Sequence, residues 1–166
     1  ALLDSEDILS AALLSLEIAV VSASVATALG TLAGLALSRL GRFRGRTLLT
    51  GMITAPLVMP EIITGISLLF LFISLAEWIG WPAARGATTI AIAHVTFAMA
   101  YVAVVVRARL AGMDESLEEA AMDLGGRPLR VFFDITMPSI APAMVSGWLL
   151  AFTLSLDDLV IASFVS

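Results

Sequence analysis

Residues 114–138 read DESLEEAAMDLGGRPLRVFFDITMP. This is the longest predominantly polar interval in a chain of 166 residues that is 60% hydrophobic. Apolar runs flank it on both sides, and each is long enough to cross a bilayer, which takes about 20 predominantly apolar residues. The pattern is that of a folded polar device held at a membrane surface. The rest of the chain then reads as the part that device moves.

Local chemistry divides the interval into two short helices with a sharp break. Ser116 followed by Glu119 has the spacing of a capping box, in which hydroxyl and carboxylate each satisfy a free backbone donor. Asp114, Glu115, Glu118 and Glu119 crowd a helix start, where the dipole favours negative charge. Gly125 and Gly126 supply a stop, because glycine tolerates the left-handed conformation. Pro128 can open the next turn, which needs no donor there. Leu129, Phe132 and Phe133 give an apolar face at spacings of three and four. Pro138 and Pro142 are expected to close the unit. An ordinary solvated loop helix would show the same local pattern.

The spacing carries more than the local pattern does. Glu119, Ala120 and Ala121 are followed by Gly125 and then by Ile135, Thr136, Met137 and Pro138. This resembles the cytoplasmic motif of ABC importer permeases: E-A-A, three residues, G, nine residues, I-x-L-P. The one departure is Met137 in place of Leu, a swap that keeps the volume. Residues 146–166, SGWLLAFTLSLDDLVIASFVS, and residues 60–70, PEIITGISLLF, resemble the spermidine/putrescine branch, and within it the putrescine permeases. The likeness runs from about Ile8 to the last residue.

The resemblance implies an all-α membrane protein, a multi-span helical bundle of the type I ABC importer permease fold. It implies a permease subunit that moves polyamines, putrescine preferred, across the bacterial inner membrane by alternating access. Glu119, Ala120, Ala121, Gly125, Ile135 and Pro138 would couple it to the ATPase. The implied partners are ABC ATPase subunits that carry ATP-Mg, a second related permease subunit and a periplasmic substrate-binding protein. No cofactor is expected on this chain, and no enzymatic activity.

Composition agrees with a membrane protein. Mean hydropathy is +1.02 and only 14% of residues are charged, far from the balance of soluble domains. The absence of cysteine excludes a disulfide framework and thiol chemistry. A net charge of −5 says little, because the placement of charge matters more. No basic stretch precedes an apolar run at the start, so no signal peptide is expected. Ser166 falls inside an apolar helix pattern, so the chain is expected to be a piece of a longer polypeptide, with the outer spans of the full family fold absent. The transmembrane domain is placed at 8–166, with an acidic outer-side lead-in over 1–7.

Four spans are predicted, over 10–37, 47–76, 87–106 and 143–166. The first carries small residues at every fourth position: Ser22, Ala26, Gly30, Gly34 and Ser38. Such a row lets a second helix approach closely, and packing drives association in lipid. Pro56 and Pro60 interrupt the second span. Trp78 and Trp81 follow it as interface anchors.

The arginines set the orientation. All nine basic residues are Arg. Arg39, Arg42, Arg44 and Arg46 follow the first span; Arg107, Arg109, Arg127 and Arg130 lie between the third and the fourth. Only Arg85 lies in the loop between. The positive-inside rule makes the Arg-rich side cytoplasmic, which puts 114–138 in the cytoplasm without appeal to any resemblance.

Polar groups within the spans mark the candidate path. Glu61 sits about 14 Å beyond Met52 at 1.5 Å of rise per residue, near the middle of the membrane. Asp157 and Asp158 lie about 21 Å along the fourth span. An ionised Asp at a helix centre costs about 2.5–3.5 kcal/mol on insertion scales, too much for a lipid-facing surface. Spaced carboxylates with aromatic faces suit a chain of ammonium groups, so Glu61, Asp157 and Asp158 are the candidate substrate pathway. Other readings compete. Glu61 follows Pro60 and could serve a broken helix. Adjacent helical residues point about 100° apart, so one aspartate can face the path while the other bonds a neighbouring helix. His94 reads as a packed, hydrogen-bonded residue, and Trp148 as an interface anchor.

Several classes lose support. The chain has no lysine, so a G-x-x-x-x-G-K phosphate loop is excluded and ATP hydrolysis needs a separate subunit. No Ser-His-Asp, Cys-His or metal-ligand cluster is legible. An importer for another solute, such as iron or thiamine, remains an alternative because the coupling motif is shared. A non-transporting membrane adaptor is a further one, weakened by the lack of a charged docking tail.

Overall fold

The computed structural model describes residues 6–166, with side chains from Ile8 onward; most of the expected lead-in over 1–7 lies outside the described residues. The architecture is all-α: among the described residues every regular element is a helix. α1 runs Glu6–Arg39, α2 Arg46–Val58, α3 Glu61–Ile79 and α4 Ala87–Ala111. α5 (Ser116–Asp123) and the short α6 (Pro128–Val131) follow, then a π turn over Phe132–Thr136, α7 (Met137–Asp157) and α8 (Val160–Val165). Among the described residues four stretches are long and apolar enough to cross a membrane: Ile8–Arg39, Glu61–Ile79, Ala87–Ala111 and Pro128–Asp157.

α4 is the central helix. Of its apolar stretch 50% is buried, against 17% to 22% in the other three. Ala23 and Ala26 of α1, Ala98, Val102 and Val106 of α4, and Ile140 and Ala151 of α7 form the main core. Lipid offers little hydrophobic drive between helices, so this contact depends on close fit. The row of small residues on α1 supplies that fit. Ser22 and Ala26 are wholly buried. A Cβ on Gly30 would lie 2.7 Å from the Met99 carbonyl oxygen and 2.7 Å from Val102 Cβ. The row is thus the seam between α1 and α4, as its spacing predicts. Ser22 Oγ also donates to the Ala91 carbonyl at 3.4 Å.

Three spans differ from the sequence reading, the third by running on to Ala111, past the expected end at 106. Residues 47–76 do not form one span. α2 ends at Val58, and Met59 is extended (φ −76, ψ 137), because a residue before proline is pushed out of the helical region. α3 then starts afresh after Pro60. α2 packs Ile53 against Leu37 of α1 and Ala100 and Ala103 of α4.

The last span begins at Pro128, before the expected 143, and breaks after Asp157. Pro138 and Pro142 therefore do not close the polar unit; the helix passes through both. Pro138 cannot donate to the Asp134 carbonyl, and its ring would crowd that oxygen. The wider π turn just before it, where the Met137 N–H reaches the Phe132 carbonyl, absorbs the misfit.

Candidate functional site

The polar segment is built by a different start and the expected stop. Among the described residues no side-chain cap bond forms at the start of α5, so the predicted Ser116–Glu119 capping box is not made. The Ser116 N–H instead donates to Asp114 Oδ1 at 2.9 Å. That hydrogen bond holds the Asp114 carboxyl below its ordinary pKa. Glu119 is left free on the exposed face.

The stop is a Schellman motif. The Gly126 N–H donates to the Ala121 carbonyl and the Gly125 N–H to the Met122 carbonyl, both at 2.9 Å. Gly125 has φ +88. Gly126 is required for another reason, since a Cβ there would lie 2.6 Å from the Ala121 oxygen. Of the motif residues, Glu119, Ala120, Gly125 and Pro138 are exposed, whereas Ala121 and Ile135 are half-buried. Exposed apolar side chains lie among them: Leu117, Leu129, Phe133 and above all Leu124, which is 91% exposed.

The segment is tied to the spans by polar contacts. Arg39, in the last turn of α1, pairs with Glu118 at 3.1 Å and also with Glu115. The same Glu118 oxygen accepts from Thr136 Oγ1 at 2.7 Å. One carboxylate thus joins α1, α5 and the π turn that leads into α7. The contact also puts the loop after α1 and the segment after α4 at one end of the bundle. A cleft of about 740 Å³ opens beside this joint, lined by Leu32, Leu35, Arg39, Glu118 and Phe132. Arg109 Nε donates to the Ser139 carbonyl at 2.9 Å and ties α4 to α7 at the same end. Sequence reasoning missed Arg39, Glu118 and Thr136 as a joint, because partners so far apart leave no local signal.

The second region lies at the broken spans. Asp158 leaves the helix (φ −79, ψ 94), and its Oδ1 accepts the Ile161 N–H at 2.8 Å. It therefore caps the start of α8. Its Oδ2 faces His94 Nε2 at 3.7 Å, and His94 Nδ1 lies 2.6 Å from Ser155 Oγ. Asp157, by contrast, is exposed. The helix ends between the two residues, so the step of about 100° expected of a continuous helix does not apply to them.

The structure therefore assembles a Ser155–His94–Asp158 trio that was not legible in the sequence. His94 and Ser155 are 4% and 8% exposed and the Asp158 side chain 7%. At such burial Ser155 is a packed hydrogen-bonding residue, not a nucleophile open to substrate. Trp148 stacks on Phe152 with ring centroids 5.3 Å apart, and its Nε1 donates to Ser24 Oγ at 3.1 Å. It is tied between α7 and α1.

The other break carries Glu61. It is exposed, in the first turn of α3, where the helix dipole favours an acid. One turn on, a Cβ on Gly65 would lie 2.8 Å from the Phe164 ring. Further along, Leu68 and Phe72 share a core with Ile161 and Val165. α3 and α8 thus pack against each other. A Cβ on Gly65 would also lie 3.5 Å from Ile161 Cα, and Glu61 and Asp157 each stand four residues before that pair.

Membrane-length helices, broken beside acidic groups and gripped at one end by a polar helix–turn segment, define a multi-pass helical membrane protein. The chain belongs to the family of binding-protein-dependent transport system inner membrane components, which it matches over residues 26–166. It is an inner-membrane, multi-pass protein. It is 64% identical over 165 residues to the putrescine transport system permease protein PotI of Escherichia coli (strain K12), covering 99% of this chain and 59% of that protein. It is 41% identical over 169 residues to the spermidine/putrescine transport system permease protein PotC of Haemophilus influenzae, covering 99% and 62%. The PotC protein of Escherichia coli (strain K12) is 40% identical over 165 residues, covering 99% and 60%. The chain thus spans between 59% and 62% of the length of these relatives.

Proposed function

We propose that the chain forms part of the permease subunit of an ATP-driven ABC importer for polyamines, putrescine preferred, working by alternating access. The observation that carries this reading is the joint at Glu118. α5 offers Glu119, Ala120 and a row of apolar side chains outward, while Glu118 on the same helix is fastened to two other elements. A partner that pushes α5 would move α1 and α7 with it. ATPase subunits that bind ATP-Mg in the cytoplasm supply such a push, and the bundle responds as a two-state element biased by its partner. Ile135 and Pro138 set the path from the turn into α7.

Substrate would pass the two breaks. Asp157 stands at the C-terminal end of a 21-residue helix, where carbonyl dipoles add negative potential. Glu61 stands at the other break, in the first turn of α3. Two acids and a helix end suit the ammonium groups of a diamine and disfavour an anion. Likeness to permeases of putrescine and spermidine systems supports that substrate class over iron or thiamine. A second related permease, the ATPase pair and a periplasmic binding protein complete the assembly.

The test is uptake of labelled putrescine by the full-length protein reconstituted with these partners. ATP-dependent accumulation is expected. Failure to carry putrescine while ATP is hydrolysed would overturn the substrate assignment, and failure to bind any ATPase would overturn the class.

A further inference from the structure

We propose that His94 is a positioning residue for the polyamine path: it holds Asp158 against α4 and so turns Asp157 toward the substrate. The inference rests on the importer reading and assigns different tasks to the two adjacent acids.

With Asp158 ionised and His94 neutral, one tautomer makes the facing pair attract. His94 Nε2 and Asp158 Oδ2 are both buried, and among the described residues neither has a hydrogen-bond partner. They face each other at 3.7 Å, less than an ångström from a normal hydrogen bond of about 2.9 Å. His94 Nδ1 is already engaged with Ser155 Oγ at 2.6 Å. If Ser155 donates to Nδ1, the ring proton sits on Nε2 and points at the carboxylate. The Nε2–H then faces the carboxylate across 3.7 Å, an electrostatic attraction rather than a formed hydrogen bond. The other tautomer sets a bare lone pair against a carboxylate oxygen.

With Oδ1 bound to the Ile161 N–H, both oxygens of Asp158 are committed inside the protein. Asp158 then has nothing to offer a diamine. Its neighbour Asp157, the last residue of α7, is left outside this contact. Asp157 is exposed there. His94 thus acts through Asp158 on the direction of Asp157, without touching the substrate.

Two substitutions separate the ring nitrogens. Gln places its amide nitrogen near the position of Nε2, whereas Asn reaches only the position of Nδ1. In the full-length protein with its ATPase and binding protein, His94→Gln should keep the wild-type KM for putrescine. His94→Asn should raise KM about tenfold, with ATPase binding unchanged. Equal effects of the two, or a normal KM in His94→Asn, would overturn the proposal. The tautomer gives a measurement that needs no variant. Nitrogen-15 shifts of His94 in the wild-type protein should show a bare Nδ1 and a protonated Nε2, and the reverse assignment would overturn it. If the wild-type protein carries no putrescine, the importer reading fails, while the tautomer still decides the His94–Asp158 contact.

Discussion

Arg39 lies 3.1 Å from Glu118, a residue 79 positions further along the chain. Their side chains are 21% and 18% exposed, so solvent screens the pair less than it would a surface bridge. Thr136 shares the same carboxylate oxygen. Removing either charge strands the other. Arg39→Gln and Glu118→Gln should each cost about 1–3 kcal/mol of stability and lower uptake, with the ATPase still bound. The double variant should be no worse than the more damaging single one, as expected of a coupled pair. Simple addition of the two losses, in thermal unfolding and in uptake, would show that the residues do not act as one joint.

The turn after α5 depends on two glycines for separate reasons. At Gly125 the constraint is φ +88, with open space around a Cβ. Gly125→Asn should therefore be tolerated, while Gly125→Val should cost about 1–3 kcal/mol and weaken ATPase capture. At Gly126 the constraint is the Ala121 carbonyl, so even Gly126→Ala should disturb the turn. Pull-down of the ATPase and uptake assays check this, and normal coupling in Gly125→Val would contradict it.

Gly30 sits where α1 meets α4. A methyl group there would lie 2.7 Å from both a backbone oxygen and a side-chain carbon of α4. At Gly51 the same methyl would find nothing within 4 Å. Gly30→Ala should lose about 1–3 kcal/mol by overpacking, whereas Gly51→Ala should be near neutral or stabilising. Thermal unfolding in detergent distinguishes them, and equal effects would remove the seam from the account.

The exposed acids at the breaks carry the substrate claim. Asp157→Asn should raise the apparent KM for putrescine about tenfold, equivalent to about 1.4 kcal/mol. Thermal stability should be unchanged. Asp158→Asn should lower stability by about 1 kcal/mol as well as raise KM, because its amide N–H must face another donor, at Ile161 or at His94. Kinetic and unfolding data on the two variants check the division, and an unstable Asp157→Asn with normal KM would reverse it.

Much of this was legible where the signal is local. The small-residue row from Ser22 to Gly34 names its own seam. Gly125 stops α5 because the residue type and the required φ coincide. Pro138 was misleading, since a proline inside a helix leaves open whether the chain stops or widens into a π turn. The Ser116–Glu119 spacing was misleading as well, because Asp114 competes for the same N–H and wins. The joint at Glu118 and the Ser155–His94–Asp158 trio could not be read at all. Each is closed by tertiary packing across 61 or more residues, and periodicity carries no information at that range.

The central claim is that the segment around Gly125 faces the cytoplasm, where an ATPase can push it. The chain contains no cysteine, so a single one at the highly exposed Leu124 reports alone. In Leu124→Cys, a membrane-impermeant thiol reagent should label inside-out vesicles and spare intact spheroplasts, and added ATPase should protect the site. Labelling from the outside of intact cells would contradict the account.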